Sequence, residues 1–319
     1  MRLRQAVSGC DVVIVNYNTG LFLRDAVASA LQSAAVARVI VVDNASDDGS
    51  VDGLPPGGDK PVEIVRNPAN LGFAAGCNIG LARASSEHVL LLNPDCVVQA
   101  GAIERLVEVA STTARAGMVG PLLLNPDGTE QAAGRRAVPT PLRAILRGLR
   151  VLKLHRLFPG SVPHAETHLD PLPRQPVPVE AISGACMLVT RAAMADVGPL
   201  DEQYFLHCED LDWCMRFHQR GWAVLFVPDA EVLHYKGVSS RCRPIGVEWY
   251  KHRSMIRFYR KFLRDRYSAV TMGVIVAGIW LRFAAVAAYL LISRPWKRQP
   301  EAFSGKVGTG LPSENATNH

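Results

Sequence analysis

The sequence lacks the marks that would assign it early to several large classes. No GxGxxG follows the first strand-like run, and GxxxxGK[ST] is absent, so neither a dinucleotide-type Rossmann site nor a P-loop ATPase is indicated. The seven cysteines, Cys10, Cys77, Cys96, Cys186, Cys208, Cys214 and Cys242, include no CxxC. Their odd number and scatter argue against a disulfide framework or structural zinc, and reduced thiols in a cytosolic setting are expected. Zinc-finger spacing and a basic zipper are missing, so no compact nucleic-acid motif is present. Met1 to Cys10 has no apolar core of the signal-peptide kind, and secretion is not expected. Acids are scarce late in the chain: from Lys251 to Arg298, Asp265 alone stands against 11 Lys and Arg.

What is present describes a folded chain. It has 319 residues, 48% hydrophobic and 20% charged, with a mean hydropathy of +0.09. That composition excludes a disordered chain, a fibre and a polytopic membrane protein, and the length allows one large domain with an appendage or two small ones. The net charge of +6 is uneven. Lys251 to Arg298 carries +10 and Gly134 to Arg174 carries +6, so the remainder carries −10. An acidic body with two basic segments calls for an acidic partner.

Short apolar runs alternate with helical patterns. Val12–Val15, Val39–Val42, Val62–Val65 and Val89–Leu92 read as strands, and Leu21–Ala30, Phe73–Ala84 and Ala100–Ala110 as helices. Continuous β-branched runs separated by helices predict an α/β fold with a mostly parallel sheet covered on both faces. Ligands bind beyond the carboxyl ends of such strands, which here carry Asn16, Asp43, Asn67 and Asp95. Strand-like runs return at Ala185–Val189 and Ala223–Val227, with a helix at Glu209–Gln219 between them. The proline-rich, basic stretch at about 134–178, with a helix-like piece at Leu142–Leu157, reads as an insert or lid.

Four places carry groups able to do chemistry. Asp43 ends a strand, where it either holds a ribose or base or caps a turn. Asp95, in Asn93-Pro94-Asp95, either holds a divalent cation or shapes a turn. Glu209, Asp210 and Asp212 either favour a helix N-terminus or include a general base. His234 is either structural or a ligand, the latter only if it lies near Asp95.

The order of these features resembles the inverting family-2 glycosyltransferases of the GT-A fold, and within them the bacterial rhamnosyltransferase-like branch. The matching pieces are VVIVNYNTG, VVDNASDDGS, NPANLGFAAGCNIG, LLLNPDC, SGACMLV, GPLDEQYFLHCEDLDWCMR and VPDAEVLHYKG, in order from Val12 to Gly237. The resemblance implies a Rossmann-like nucleotide-diphospho-sugar transferase domain over 1–250, a basic and apolar helical membrane-association tail over 251–298, and a disordered polar end over 299–319. It implies that Asn16, Tyr17, Asn18 and Asp43 hold the nucleoside, and that Asn70, Gly72, Asn78 and Asn93 lie on the donor side. Asp95 stands where a metal-binding DxD motif begins; the chain reads Asp95-Cys96-Val97, so the second acid is missing. His234 then becomes the further ligand to Mg²⁺ or Mn²⁺. Asp210 is implied as the base, with Glu209 beside it, and Ser183-Gly184-Ala185 as acceptor-side lining. Arg253 is implied as a contact to the donor diphosphate.

The implied donor is dTDP-L-rhamnose, with UDP-galactofuranose, UDP-galactose and UDP-N-acetylglucosamine as alternatives. The implied acceptor is a saccharide on a polyprenyl diphosphate in cell-wall or surface polysaccharide synthesis. From other classes, a non-catalytic subunit of an assembly complex is opposed by intact Asp95, Asp210 and His234. A nucleotidyltransferase is opposed by the absence of a glycine-rich basic loop after the first strand. The basic insert, with Arg135, Arg136, Arg143, Arg147 and Arg150, is either an acceptor-diphosphate contact or a solvated face.

Ser268 to Leu281 is uncharged, and 11 more uncharged residues follow Arg282. A span would set Arg282 near mid-bilayer at a cost of several kcal/mol, and basic flanks on both sides give no preferred orientation. A monotopic helix or a shallow hairpin on the cytoplasmic face, against anionic lipid, fits better. Packing on the catalytic domain, or on a second copy in a homo-oligomer, is the alternative. Lipid headgroups and a lipid-linked diphosphate, rather than nucleic acid, are the expected acidic partners.

Overall fold

The computed structural model describes residues 9–132, 134–141, 143, 170–237 and 243–293. The first half builds βα units as the patterning predicts. β1 (Cys10–Asn16), β2 (Val36–Asp43), β3 (Val62–Arg66) and β4 (His88–Leu92) run parallel in the order β3-β2-β1-β4. Every residue of β1 is buried. Cys10, Val12 and Ile14 pack to one side and Val13 and Val15 to the other, as the two-residue period requires. α1 (Leu21–Gln32) and α3 (Ala102–Thr112) cover the first side. α2 (Phe73–Arg83) covers the second, with α5 (Glu209–Gln219) and α6 (Pro244–Phe262). The small residues of α2 have a packing reason: a Cβ at Gly76 or Gly80 would collide with Val15 or Val13.

The second half makes the sheet mixed rather than wholly parallel. β10 (Cys186–Thr190) lies antiparallel between β4 and β6 (Ala116–Leu124). β11 (Ala223–His234) runs parallel to β6 and antiparallel to β5 (Cys96–Val98) at the sheet edge. β6 escapes a reading by patterning because Gly117, Gly120 and Pro121 interrupt its apolar run. β11 continues through Pro228-Asp229, where a register shift between Val227 and Glu231 absorbs the proline. α4 (Arg191–Val197) follows β10.

The described ends of the insert are woven into the fold. β7 (Arg135–Arg136) pairs with β9 (Ala181–Ile182), and β8 (Val177–Pro178) pairs with β11. The helix-like Leu142–Leu157, with Arg147 and Arg150, lies outside the described residues, as do Cys242 and 299–319. The other six cysteines are free and buried. α6 crosses residue 250 and buries Ile256, Phe258 and Tyr259 against the body. α7 (Ala269–Ile292) follows; its N-cap Ser268 accepts from Thr271 N.

Candidate active site

The crest of the sheet forms because the ends of β1 and β2 are in register. Asn16 sits opposite Asp43, and its Nδ2 donates to Asp43 Oδ1 at 2.8 Å. The same amide lies 2.9 and 2.7 Å from Ser46 and Ser50 Oγ, and Thr19 donates to Asn16 Oδ1. Asn16 therefore braces the crest from a fully buried position. Asn18 takes a left-handed φ of 51° and binds the opposite loop through its N–H to Ser46 Oγ and its Oδ1 from Asp47 N. Half-buried Tyr17 lies in the same loop. Asp43 lines a 370 Å³ cavity with Ser46, Gly49, Arg66 and Asn67, a polar recess of nucleoside scale.

The segment from Asn70 to Asn78 is committed to bracing. Asn70 Oδ1 accepts from Gly72 N at 2.9 Å. Gly72 has a φ of +88°, and a Cβ there would lie 2.7 Å from the Phe205 carbonyl, so its close approach is to Phe205. Asn78 Nδ2 donates to Leu200 O and Glu202 Oε1, and Asn78 Oδ1 accepts from Leu200 N. These bonds hold the loop that leads into Glu209 and Asp210.

Asp95 and His234, far apart in the chain, meet because β5 and β11 pair with Cys96 opposite His234. His234 Nε2 lies 3.3 Å from Asp95 Oδ1, and both residues are buried. Gln131, which sequence reasoning did not single out, sets the ring. Its Nε2 donates to Asn125 Oδ1 at 3.0 Å and to the His234 carbonyl at 3.3 Å. Its Oε1 is thus left to accept from His234 Nδ1 at 2.7 Å. A neutral ring then turns the Nε2 lone pair toward a carboxylate oxygen, an arrangement that a bound cation would satisfy. Asn93 Oδ1 is buried without a partner among the described residues, a further free oxygen two residues from Asp95. Cys96 Sγ lies within reach of Asp95 and His234, but it donates to the Ala185 carbonyl and burial pushes its thiol up. The pair that fits a hard divalent cation is therefore Asp95 and His234.

A second carboxylate site adjoins through the Ser183-Gly184-Ala185 turn. Asn93 N donates to Ala185 O at 2.8 Å, and Gly184 N donates to Asp210 Oδ2 at 3.0 Å. Asp210 lies in the first turn of α5, and its Oδ1 accepts from Leu211 N at 2.7 Å. The Arg136 guanidinium pairs with Asp210 Oδ2. Glu209 is buried and its Oε2 has no partner among the described residues. Burial first, and the Asp210 charge second, push its carboxyl up to about 8. Two adjacent acids thus differ in setting: Glu209 is pushed toward its protonated form, and Asp210 is the one paired with Arg136. His207 and Cys208, just before them, both take left-handed φ, 67° and 66°, where non-glycine residues are strained.

The described insert arginines are not open to solvent as a basic face. Arg135 pairs with Glu130 at 2.7 Å, Arg143 with Glu180 at 2.7 Å, and Arg136 with Asp210. An Arg-Arg in a basic stretch gave no sign of the carboxylate pairing, because Asp210 is 74 residues away. Arg253 lies in a separate cleft beside α6 and α7.

A doubly covered mixed sheet, with a nucleoside-sized recess at its crest and two carboxylate sites joined by one turn, has the architecture of a GT-A glycosyltransferase. The comparisons with known proteins agree. The model for glycosyl transferase family 2 matches residues 11–163. The N-acetylglucosaminyl-diphospho-decaprenol L-rhamnosyltransferase of Mycobacterium tuberculosis is 32% identical over 275 residues, 81% of this chain and 84% of the relative. The low-salt glycan biosynthesis hexosyltransferase Agl10 of Haloferax volcanii is 22% identical over 284 residues, 85% of this chain and 82% of the relative. In structure, the mannosyltransferase PcManGT of Pyrobaculum calidifontis, solved with GDP-Man and Mn²⁺, matches with a TM-score of 0.55 at 15% identity. The match covers 91% of this chain and 71% of that one. GalNAc-T7, solved with UDP, GalNAc and Mn²⁺, matches with a TM-score of 0.54 at 19% identity, over 72% of this chain and 44% of that longer one. The chain belongs to glycosyl transferase family 2.

Proposed function

We propose that this enzyme transfers L-rhamnose, with inversion, from dTDP-L-rhamnose to a sugar hydroxyl carried on a polyprenyl diphosphate, at the cytoplasmic face of the membrane. The observation that carries the reading is the pair of hydrogen bonds from the Ser183–Ala185 turn, which ties the Asp95–His234 site to Asp210. The mycobacterial relative's name supplies the rhamnosyl donor class and the lipid-linked acceptor. Asp43, Tyr17 and Asn18 face the nucleoside, in and beside the crest recess. Asp95 and His234 would hold Mg²⁺ or Mn²⁺, which when bound offsets the charge growing on the departing nucleoside diphosphate.

Asp210 takes the proton of the acceptor hydroxyl as its oxygen attacks the anomeric carbon. The new bond forms opposite the breaking bond to the diphosphate, so the configuration inverts. Glu209, protonated and buried, leaves the base role to its neighbour. Arg136 and the Gly184 N–H fix Asp210 Oδ2 and steer the carboxylate.

What supports membrane attachment is how α7 sits. It has 24 residues, about 36 Å, and is long and apolar enough to cross a bilayer. Yet its middle is fastened to α6. Trp280 meets Trp249 at 4.8 Å between ring centroids, Phe283 meets His252 at 5.5 Å, and Arg282 reaches His252 Nε2 at 3.5 Å. Met272, Ile275 and Ile279 pack on the body core. A spanning α7 would drag α6 and the catalytic body to mid-bilayer depth. A helix lying in the interface, bare face down, keeps the body in water and gives Arg282 a protein partner.

Incubation with a panel of nucleotide sugars, with Mg²⁺ or Mn²⁺, tests the reading by release of nucleoside diphosphate. The expected result is turnover strongest with dTDP-L-rhamnose. Stronger turnover of UDP-galactofuranose, UDP-galactose or UDP-N-acetylglucosamine would reassign the donor, and no turnover of any would point to a non-catalytic subunit.

A further inference from the structure

A second cleft lies away from the sheet crest. It has a volume of 1020 Å³ and lies between α6, α7 and the loop 201–205. One wall is cationic, because Arg253, Arg257 and Arg260 recur on α6 at helical spacing, with Lys261 beside them. Asp201 accepts from Arg257 at 2.7 Å and from Lys261 at 2.8 Å, and Lys261 also meets Asp212 at 2.6 Å. Those two cations are structural. Arg253 and Arg260 are exposed and make no ion pair among the described residues.

The other wall is aromatic and continuous with the apolar helix. Trp249 and Trp280 line it, and Phe283 closes behind them at 5.6 Å from Trp249. Phe205 stacks on Tyr250 at 4.3 Å and forms the floor toward the body. From Phe205 the chain runs directly into Glu209 and Asp210. Ser254 Oγ donates to Leu206 O at 2.9 Å and so clamps α6 onto that loop. The cleft thus joins a pair of unpaired guanidiniums, an aromatic wall at the foot of a bare apolar helix, and a short path to the base.

We propose that this cleft binds the diphosphate and first isoprenoid units of the lipid-linked acceptor, with Arg253 and Arg260 on the phosphates and Trp249 and Trp280 against the chain. Guanidinium matches phosphate in charge and fork geometry. Tryptophan suits the boundary between headgroup and hydrocarbon. The proposal rests on the sugar-transfer reading for the choice of ligand, and it replaces the basic insert as the diphosphate contact.

The test is binding of full-length protein to phosphatidylcholine nanodiscs in three forms: plain, carrying polyprenyl diphosphate, or carrying phosphatidylglycerol at matched charge. The expected result is roughly tenfold or more tighter binding to polyprenyl diphosphate than to phosphatidylglycerol. The double variant R253Q/R260Q should lose that preference and keep its binding to plain discs, while R253K/R260K should keep part of it. Equal affinity for the two anionic lipids, or a preference untouched in R253Q/R260Q, would overturn the proposal. A separate measurement of dTDP-L-rhamnose turnover by the wild type and by R253Q/R260Q keeps the two readings apart. Wild-type turnover without a wild-type lipid preference defeats the cleft alone, and lipid preference without turnover of any nucleotide sugar by the wild type defeats the sugar-transfer reading alone. A raised donor KM in the double variant with lipid preference intact would move Arg253 to the donor diphosphate and also overturn the proposal.

Discussion

At the sheet crest, Asn16, Thr19, Asp43, Ser46 and Ser50 are buried or partly buried and bonded to one another. Along α7, Val270, Val274, Leu281 and Ile292 stand 68–84% exposed with nothing over them. The crest is held in shape by hydrogen bonds among its own residues. The outer face of α7 is unfinished, because a row of apolar side chains this bare is not stable against water. The body's stability comes from its own packing, and on the proposed reading the tail's comes from the membrane surface. Substitutions in the two regions should therefore separate chemistry from location.

The largest effect is expected in the body. Asp210→Asn should lower transfer by about 10²–10⁴-fold while donor binding survives, measured by turnover beside nucleotide-sugar titration. Membrane flotation of that variant should be unchanged. In the tail, the pair V274E/L281E removes two buried apolar contacts, each worth about 1.5–3 kcal/mol if lipid covers them. Flotation should fall by roughly a hundredfold or more, with release of nucleoside diphosphate in solution unaltered. An equal loss of both would mean that the two regions are not separable.

A smaller effect is expected at the metal donors. Gln131→Ala frees the His234 ring, and Mn²⁺ affinity should drop by about 10–100-fold in a titration of the purified protein. The smallest effect is on stability. Glu209 holds its proton in the fold to about pH 8, whereas the unfolded side chain releases it near 4.5. Its contribution to stability is complete below the lower value and is lost as pH rises toward the upper one. Thermal melts from about pH 5 to about pH 8 should show wild type falling relative to Glu209→Gln. Parallel curves would mean that Glu209 is not buried as a neutral acid.

The four parallel strands and their helices were legible in the sequence because continuous runs such as Val39–Val42 have few other uses. The strand-end polar residues followed from that. Asp210 and Asp95 were legible only through the ordered motifs, since a lone acid at a turn has commoner roles. Gln131 and Arg136 were not legible. Each acts through a partner 103 or 74 residues away, and that proximity depends on strand pairings that no local pattern encodes. β6 was hidden by its glycines and proline. The half-packed seat of α7 was equally hidden, because its apolar composition is nearly uniform around the helix and does not tell a protein-facing stripe from a bare one.

Single-displacement transfer with Asp210 as base fixes the stereochemistry of the product. The anomeric configuration of the sugar that the wild-type enzyme attaches, read by nuclear magnetic resonance on the isolated product, checks it. The expected configuration is opposite to the donor's. A product that keeps the donor's configuration would require a second displacement and would contradict the role given to Asp210.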